Sequence, residues 1–342
     1  MDSKTTGYFL IKPNLSDFQG GKMGGPWPIK GKQSYIFGPV PSRRLGRSLG
    51  IDLVPFKTCT YNCIYCQLGR TTKQTLERKP YVKGSQVMAE LKKKLPTLSP
   101  PPNYLTFSGS GEPTLHSEIG WIINEIKRIS QIPIAVLTNG SLLHLPEVRA
   151  DLIKADLVIP SLDAASAQLF KFINRPHYSL HLPQILQGLK DFRRDFAGQI
   201  WLEIMLCAGI NDDPKEIQRL KEVIAWIEPD RIQLNTVIRP PAEEFAYPLP
   251  AEQLEKVKNM LGDRVEIIPT FAKAEEDEIT FPNEKQILDL LKRRPCTAEE
   301  ISHALGYKLE SVYQTLQELR KKEVIRYRVF SDHCYYEILL EP

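Results

Sequence analysis

The chain has 342 residues, of which 42% are hydrophobic and 25% are charged, an ordinary composition for a globular protein. It contains no apolar run long enough to span a membrane, and its first residues lack the apolar segment of a signal peptide. Six cysteines in a chain of this length do not form the pattern of a disulfide-rich secreted domain. We therefore expect a cytoplasmic protein without membrane contact, built from one large and one smaller domain.

The net charge of +4 conceals an uneven distribution. Residues 1–94 hold 17 Lys and Arg against 5 Asp and Glu, a balance of +12, so residues 95–342 hold 28 against 36, a balance of −8. A basic N-terminal part indicates an anionic partner, with nucleic acid as the leading candidate. The alternative is a solvated surface whose arginines bind carboxylate or phosphate groups.

Residues 1–34 are rich in Gly, Pro and Lys and predict an irregular arm. Next, Arg43, Arg44 and Arg47 lie in one short loop before a first strand predicted at 49–53. Guanidinium groups bind phosphate or carboxylate in a bidentate manner, so these arginines are candidate substrate contacts. The alternative is that they pair with local acidic residues.

The next stretch places Cys59, Cys63 and Cys66 close together, with Tyr65 directly before the last cysteine. Thiolates bind zinc, copper or iron–sulfur clusters. Closed zinc sites and most four-iron clusters have four protein ligands, whereas three cysteines leave one iron of a four-iron cluster open to a substrate or cofactor. The alternative is a zinc site completed by a distant ligand such as His116 or His177.

Apolar strands alternate with helical patterns after the cysteine loop. Five further strands are predicted at 104–107, 133–138, 157–161, 200–206 and 231–237. The helical patterns include 83–95, 118–129 and 214–227. This alternation predicts βαβ units and a parallel sheet. Six units over residues 48–240 predict an α/β fold, a partial (β/α)6 TIM-like barrel, in which active sites lie at the carboxyl ends of the strands.

Several chemically distinctive residues follow the predicted strand ends. Gly111, Glu112 and Pro113 follow the second strand, where glycine permits a ligand to approach the backbone and Glu112 is an acceptor for a cation. Further acceptors at later strand ends are Asn139, Ser161, Asp163 and Glu203. Two of these have simpler interpretations, because Asp163 suits the cap of a helix and Glu203 suits the partner of a core arginine.

Two more arginines complete the set of candidate contacts. Arg175 follows the helix after the fourth strand, where it suits a carboxylate or another substrate anion. Arg239 follows the sixth strand, at the expected mouth of the barrel, and is a candidate substrate contact.

The acidic segment 272–280 predicts a boundary, so we expect the barrel to cover residues 35–275. Residues 282–342 predict three helices, at 283–294, 297–305 and 309–322, followed by strands at 324–330 and 335–340. This is the pattern of a winged helix-turn-helix domain. Its ten basic and ten acidic residues lack the electrostatic signature of a DNA-binding surface, which leaves RNA contact or docking of a peptide or protein.

The spacing C-x3-C-x-aromatic-C at Cys59, Cys63, Tyr65 and Cys66 resembles that of the radical S-adenosylmethionine (radical SAM) superfamily. The resemblance implies a partial barrel and a [4Fe–4S] cluster whose open iron binds the amino and carboxyl groups of S-adenosylmethionine. It also implies reductive cleavage of S-adenosylmethionine to methionine and a 5′-deoxyadenosyl radical that takes a hydrogen atom from the substrate. An external reductant such as flavodoxin or ferredoxin is then required.

The resemblance also gives roles to the strand-end residues. In this superfamily the Gly-Glu-Pro stretch binds the amino group of S-adenosylmethionine, which here falls on Gly111, Glu112 and Pro113. Ser161 and Asp163 lie at the strand end where the superfamily usually holds the ribose of S-adenosylmethionine. The further candidate cofactor contacts are Tyr65, Asn139, Glu203 and Arg175, the last for the carboxylate of S-adenosylmethionine or a substrate anion. A catalytic residue beyond these contacts is not assigned.

The segments 41–52, 111–115, 161–163 and 239–243 are similar to a branch of the superfamily that includes the tRNA wyosine-base synthases. Those synthases hold a second cluster with cysteines N-terminal to the main motif, whereas this chain has no cysteine before Cys59, so we expect another substrate. The leading hypothesis is modification of an RNA, in particular of a tRNA base. The alternatives are a peptide or protein docked by the winged helix, and an iron–sulfur DNA-binding regulator.

Overall fold

The computed structural model describes residues 34–268 and 282–339. The predicted arm, apart from residue 34, and the predicted acidic connector at 272–280 lie outside the described residues. Within the described residues, no helix has both the length and the apolar character needed to cross a bilayer.

The larger part is built on one eight-stranded sheet in the order β1-β2-β5-β6-β7-β8-β9-β10. Its strands are β1 (Ile36–Ser42), β2 (Gly46–Ile51), β5 (Tyr104–Phe107), β6 (Ile134–Thr138), β7 (Leu157–Pro160), β8 (Gln199–Leu206), β9 (Arg231–Thr236) and β10 (Val265–Ile267). From β2 to β10 all neighbours are parallel. Apolar runs buried on both faces, such as the fully buried β7, are typical of a parallel sheet covered by helices.

Seven helices lie between these strands and cover the outer face of the sheet. They are α1 (Gly84–Lys94), α2 (Ile119–Ile129), α3 (Pro146–Leu152), α4 (Ala167–Ile173), α5 (Leu182–Asp195), α6 (Pro214–Ile227) and α7 (Ala251–Leu261). In α2, Ile119, Ile122 and Ile126 recur at helical spacing and are fully buried. Side chains from β2, β5, β6, β8 and β9 line one common cavity, so the sheet curves around it. This architecture confirms the predicted partial barrel.

Two strands of the eight-stranded sheet were not predicted. β1 pairs antiparallel with β2, although it contains Pro39 and Pro41. It is an edge strand, where a missing N–H is tolerated, so prolines did not prevent pairing. β10 adds a seventh parallel strand and has only three residues, which is too short for a clear sequence pattern.

A short two-stranded parallel sheet flanks the cysteine loop. It is formed by β3 (Thr58–Cys59) and β4 (Lys73–Gln74), so the first cysteine lies within regular structure.

Residues 282–339, the C-terminal unit, have their own apolar core. The unit contains α8 (Glu284–Leu291), α9 (Ala298–Leu305), α10 (Leu309–Lys321) and an antiparallel pair, β11 (Ile325–Phe330) and β12 (His333–Ile338). At the start of α9, the Glu300 N–H donates to Thr297 Oγ1 (3.2 Å), so Thr297 caps the helix. The element order is the predicted one, and the assignment to the winged-helix class stays a prediction.

The C-terminal unit lies against the carboxyl ends of the barrel strands. Arg293, after α8, pairs with Asp52, directly after β2. Glu300, on α9, pairs with Arg239 (2.8 Å), after β9. The unit therefore contacts the end of the barrel at which an active site is expected.

Candidate active site

Three cysteines of one loop line a single cavity at the carboxyl ends of the strands. Cys59 ends β3, and the Cys66 N–H donates to Cys63 O (3.2 Å) in a tight turn. The loop is fixed by Ile64, which is fully buried and donates its N–H to Ile173 O (2.9 Å). The cavity has a volume of about 400 Å³ and also receives side chains from the C-terminal unit.

The three thiols fit a shared iron–sulfur cluster. Burial raises the pKa of Cys63 well above its ordinary value, and Asp163, Cys59 and Cys66 add to the shift, so the sulfur atoms lie within electrostatic reach of one another. Bound iron would favour the thiolates instead. In residues 34–268 and 282–339, no three His, Cys, Asp or Glu side chains gather closely enough for a single metal ion. Three thiols of one loop match the ligand set of a four-iron cluster that keeps one iron open.

The two histidines considered as a fourth zinc ligand have other surroundings. His116 is buried, and its ring nitrogens contact Val82 O (2.8 Å) and the Glu118 N–H (3.2 Å). His177 packs on Tyr178, with ring centroids 4.3 Å apart. Neither histidine lines the cavity.

Two amide side chains approach the cysteine sulfur atoms. Asn139 Nδ2 lies 3.5 Å from Cys59 Sγ, and Asn174 Nδ2 lies 3.6 Å from Cys63 Sγ. Hydrogen bonds to sulfur help to set the reduction potential of iron–sulfur clusters. The structure thus places Asn139 beside a cysteine. Sequence reasoning did not select Asn174, since nothing in a loop asparagine indicates a contact 111 residues away in the chain.

The cysteine loop passes so close to the segment after β5 that position 111 has room only for glycine. The Glu112 N–H donates to Thr58 O (3.1 Å), and a Cβ added at Gly111 would lie 1.8 Å from the same oxygen. This close approach brings the Gly-Glu-Pro stretch to the base of the cysteine loop. Gly111 lines the cavity.

Glu112 ties this stretch to the end of β6. Its carboxylate accepts from Thr114 Oγ1 (2.6 Å), Thr138 Oγ1 (2.6 Å) and the Asn139 N–H (2.7 Å). Burial raises its pKa, and these hydrogen bonds oppose the shift. Pro113 is buried behind it, at the start of a short 3₁₀ helix. Glu112 and Pro113 therefore lie behind the cavity wall and support it, and they do not line the cavity themselves.

Asp163 lies at the centre of a buried polar network. Its carboxylate accepts from the Tyr65 hydroxyl, from Asn174 Nδ2 (2.6 Å) and from the Met205 N–H (2.9 Å). Burial raises the pKa of Asp163 to about 6, while these hydrogen bonds oppose the shift. Its carboxylate therefore fixes Tyr65, a cavity-lining residue, and none of these contacts is a helix cap.

Glu203 pairs with an arginine, as the simpler interpretation predicted. Its carboxylate lies 2.9 Å from Arg44 Nη1 and accepts from Asn235 Nδ2 (2.9 Å). Asn235 Oδ1 in turn accepts from Arg43 Nη1 (3.2 Å). Burial acts to raise the pKa of Glu203, but Arg44 and the hydrogen bonds outweigh it and the pKa is lowered. The backbone of Ser161 bridges to that of Glu203, which brings the two strand ends together.

Two candidate arginines lie outside the cavity wall. Arg175 Nη1 is 2.5 Å from Glu243 Oε1, and the same carboxylate receives a bidentate pair from Arg70, with both distances 2.9 Å. Arg47 does not line the cavity, although Ser48, its neighbour on β2, does. The Arg70–Glu243–Arg175 group instead joins the cysteine loop to the segment after β9.

The remaining arginines of the cavity come from two distant parts of the chain. Arg239 pairs with Glu300 and donates to Gln67 Oε1 (3.3 Å), a residue of the cysteine loop. Arg293 and Arg294 also line the cavity, and the sequence did not indicate them as candidate contacts. Their only signal in the sequence is a pair of arginines near a helix end, which is a common arrangement at a helix C-terminus.

Comparison with known proteins agrees with this geometry. A family model of the radical SAM superfamily matches residues 53–220. A UPF0026 protein from Methanocaldococcus jannaschii is 35% identical over 278 residues, which are 80% of this chain and 86% of that protein. A relative named GTPase Obg, from Brachyspira hyodysenteriae, is 38% identical over 310 residues, which are 90% of this chain and 45% of that protein. This chain thus spans less than half the length of that relative.

A solved structure shows the same fold. The radical SAM methyltransferase from Sphaerobacter thermophilus superimposes with a TM-score of 0.50 and 15% identity, over 64% of this chain and 65% of that chain. The narrower resemblance to the wyosine-base branch stays a prediction. The chain belongs to the radical SAM superfamily and, within it, to the UPF0026 proteins, and it is an enzyme whose cofactors are a [4Fe–4S] cluster and S-adenosylmethionine.

Proposed function

We propose that this enzyme abstracts a hydrogen atom from a base of an RNA, with tRNA as the leading substrate. The observation that supports this most directly is the group of arginines on the wall of the cysteine cavity, among them Arg43, Arg44 and Arg239. RNA carries a phosphate at every nucleotide, and arginine is the side chain best suited to bind it. The balance of +12 over residues 1–94 gives the part of the chain that contains the cysteine loop a positive net charge.

The residues of the site have separable roles in this proposal. Cys59, Cys63 and Cys66 would hold the cluster, which supplies the electron that cleaves S-adenosylmethionine and releases the deoxyadenosyl radical. The Gly111 backbone suits the amino group of S-adenosylmethionine. Tyr65, fixed by Asp163, suits the wall beside its ribose. The C-terminal unit would exclude water from the radical.

Electron supply and location complete the proposal. Radical SAM enzymes need an external reductant, and we propose flavodoxin or ferredoxin. A cytoplasmic location is supported by the six cysteines, all free thiols. We also propose that residues 35–275 form the catalytic domain and that residues 282–342 form a separate domain that completes the site.

The test is formation of 5′-deoxyadenosine by anaerobically reconstituted enzyme with dithionite, with and without unmodified tRNA. We expect tRNA to stimulate product formation in the wild type, and we expect the Cys63→Ala variant to form no product. Cys334→Ala is the matched control, because Cys334 lies on β12 of the C-terminal unit, does not line the cavity and should leave the reaction intact. Product formation that tRNA does not change would overturn the RNA proposal and leave the radical chemistry in place.

A second candidate is a peptide or protein substrate docked by the C-terminal unit. The observation in its favour is the balanced charge of this unit, whose ten basic and ten acidic residues give no net attraction to RNA. It predicts that a peptide fraction, and not tRNA, stimulates 5′-deoxyadenosine formation. Stimulation by tRNA alone would exclude it.

A further inference from the structure

Three arginines from three separate elements reach the same cavity wall. Arg43 lies in the turn between β1 and β2, Arg239 follows β9, and Arg294 follows α8 in the C-terminal unit. They are far apart in sequence and meet only because the C-terminal unit packs on the barrel. The same cavity is lined by the three cysteines, so these guanidinium groups share a space with the cofactor site.

The positive charges of these arginines help to lower the pKa values of Arg43 and Arg239. Burial lowers the pKa of Arg43 to about 10, and Arg239, Arg44 and Arg294 contribute to the shift. Burial also lowers the pKa of Arg239, with Arg294 as the next cause. Guanidinium groups that line one buried cavity repel each other, and an anion bound among them would relieve this repulsion.

The neighbouring ion pairs hold this arrangement in place. Arg44 pairs with Glu203 on β8, and Arg239 pairs with Glu300 on α9. A guanidinium group has five N–H donors in a planar fork, so an arginine can keep a protein partner and still bind a ligand. The site is therefore built from side chains whose positions the fold already determines.

The number of arginines favours phosphate over carboxylate. One bidentate arginine matches the two oxygens of a carboxylate. A phosphoryl group offers three or more acceptor oxygens and a larger negative charge, which suits three arginines supplied by three separate elements.

We propose that Arg43, Arg239 and Arg294 form a phosphate-binding site that holds a phosphoryl group of the substrate in the cysteine cavity. This inference rests on the proposed function, in which the substrate is an RNA, and it assigns the recognition of one of its phosphates. Arg294 gives the C-terminal unit a direct part in substrate binding. The phosphoryl group belongs either to an RNA backbone or to a free nucleotide, and the chemistry of recognition is the same.

The first test is equilibrium dialysis of the full-length, anaerobically reconstituted protein against radiolabelled inorganic phosphate, without S-adenosylmethionine. We expect saturable binding of one phosphate per chain. Arg43→Gln and Arg294→Gln should each weaken binding by about tenfold or more, the effect of losing a hydrogen bond to a charged group. Arg47→Gln removes the same charge outside the cavity and should bind phosphate as the wild type does.

Two further measurements guard against misfolding. The first is thermal unfolding of each variant, followed by circular dichroism, which shows whether the variant is folded. The second is the phosphate affinity of Arg294→Lys, which keeps the charge but loses the planar fork of donors, so its affinity should lie between those of the wild type and Arg294→Gln. Absence of saturable binding would overturn the proposal. Equal affinities for the wild type and Arg294→Gln would also overturn it.

Competition identifies the source of the phosphoryl group. Displacement of labelled phosphate by nucleoside 5′-monophosphates or by tRNA, and not by nucleosides, supports the site and names its ligand. Failure of both competitors would overturn its role in substrate binding. The outcome is separable from the proposed function: stimulation by tRNA without phosphate binding refutes only this site, whereas phosphate binding without stimulation refutes only the RNA proposal.

Discussion

Arg293 of the C-terminal unit forms a buried ion pair with Asp52, which follows the second strand of the barrel. The side chains are only 8% and 2% exposed. Asp52 also accepts from the N–H (3.1 Å) and hydroxyl (2.5 Å) of Ser110, which directly precedes the Gly111–Pro113 stretch. This pair therefore connects the C-terminal unit to the loop expected to bind S-adenosylmethionine.

Removal of Arg293 should destabilise the protein strongly. Arg293→Gln leaves the Asp52 carboxylate buried without its cation, and the loss of one partner of a buried pair costs about 3–5 kcal/mol of unfolding free energy. Urea denaturation followed by circular dichroism measures it. Lys322→Gln is the control, because the Lys322–Glu284 pair lies on the surface and should contribute little. Equal effects of the two substitutions would contradict the structural role of the Asp52 pair.

Gly111→Ala should disrupt the cofactor site. The added Cβ would lie 1.8 Å from Thr58 O, so the backbones of the cysteine loop and the Gly-Glu-Pro stretch must separate. We expect a large loss of bound iron per chain and weaker binding of S-adenosylmethionine, measured by iron analysis and by calorimetry. Gly209→Asn is a suitable control, since a Cβ there meets nothing within 4 Å and Asn tolerates its positive φ of 70°. Full iron content in Gly111→Ala would show that the close approach is dispensable.

Asn174→Ala should lower the reduction potential of the cluster by tens of millivolts. The amide of Asn174 donates toward Cys63 Sγ, and a hydrogen bond to sulfur stabilises the more negatively charged reduced state. A redox titration followed by electron paramagnetic resonance measures the midpoint. Asn124→Ala provides the comparison, because the Asn124 amide bonds to Gly120 O on α2. An unchanged midpoint in Asn174→Ala would refute the contribution of this contact.

The stability of the apoprotein should depend on Glu243 in acid. Hydrogen bonds from Arg70, together with Arg175, lower the pKa of Glu243 below its ordinary value of 4.5. A carboxyl group with a lowered pKa in the folded state contributes stability above the unfolded pKa and loses it as the pH falls through the folded pKa. Glu243→Gln should therefore be less stable than the wild type at pH 7, and the two should converge as the pH falls below 4.5.

Urea denaturation of both proteins at several pH values tests this dependence. Glu244→Gln changes the adjacent carboxyl group, for which no ion pair is described, and should follow the wild type at each pH. A constant difference between the wild type and Glu243→Gln across the acidic range would contradict the assignment.

Local sequence patterns determined the main elements. The strands β5 to β9 follow apolar runs, and α6 begins and ends where the sequence predicts, because Asp213 caps its first turn and Pro214 suits the first helical position. The three cysteines lie close together along the chain, so the loop could be recognised without the fold. Each of these features depends on residues a few positions apart, which is why the sequence alone indicates them.

Only the tertiary structure decided which side chains meet. Asn174 approaches Cys63 across 111 residues, and Arg294 lines the same cavity as Arg43 only because the C-terminal unit packs on the carboxyl ends of the barrel strands. Likewise, the sequence makes Arg175 a candidate cofactor contact, but in the structure it pairs with Glu243, which is distant in the chain. Such contacts depend on the packing of whole elements, and no local pattern of residues encodes that packing.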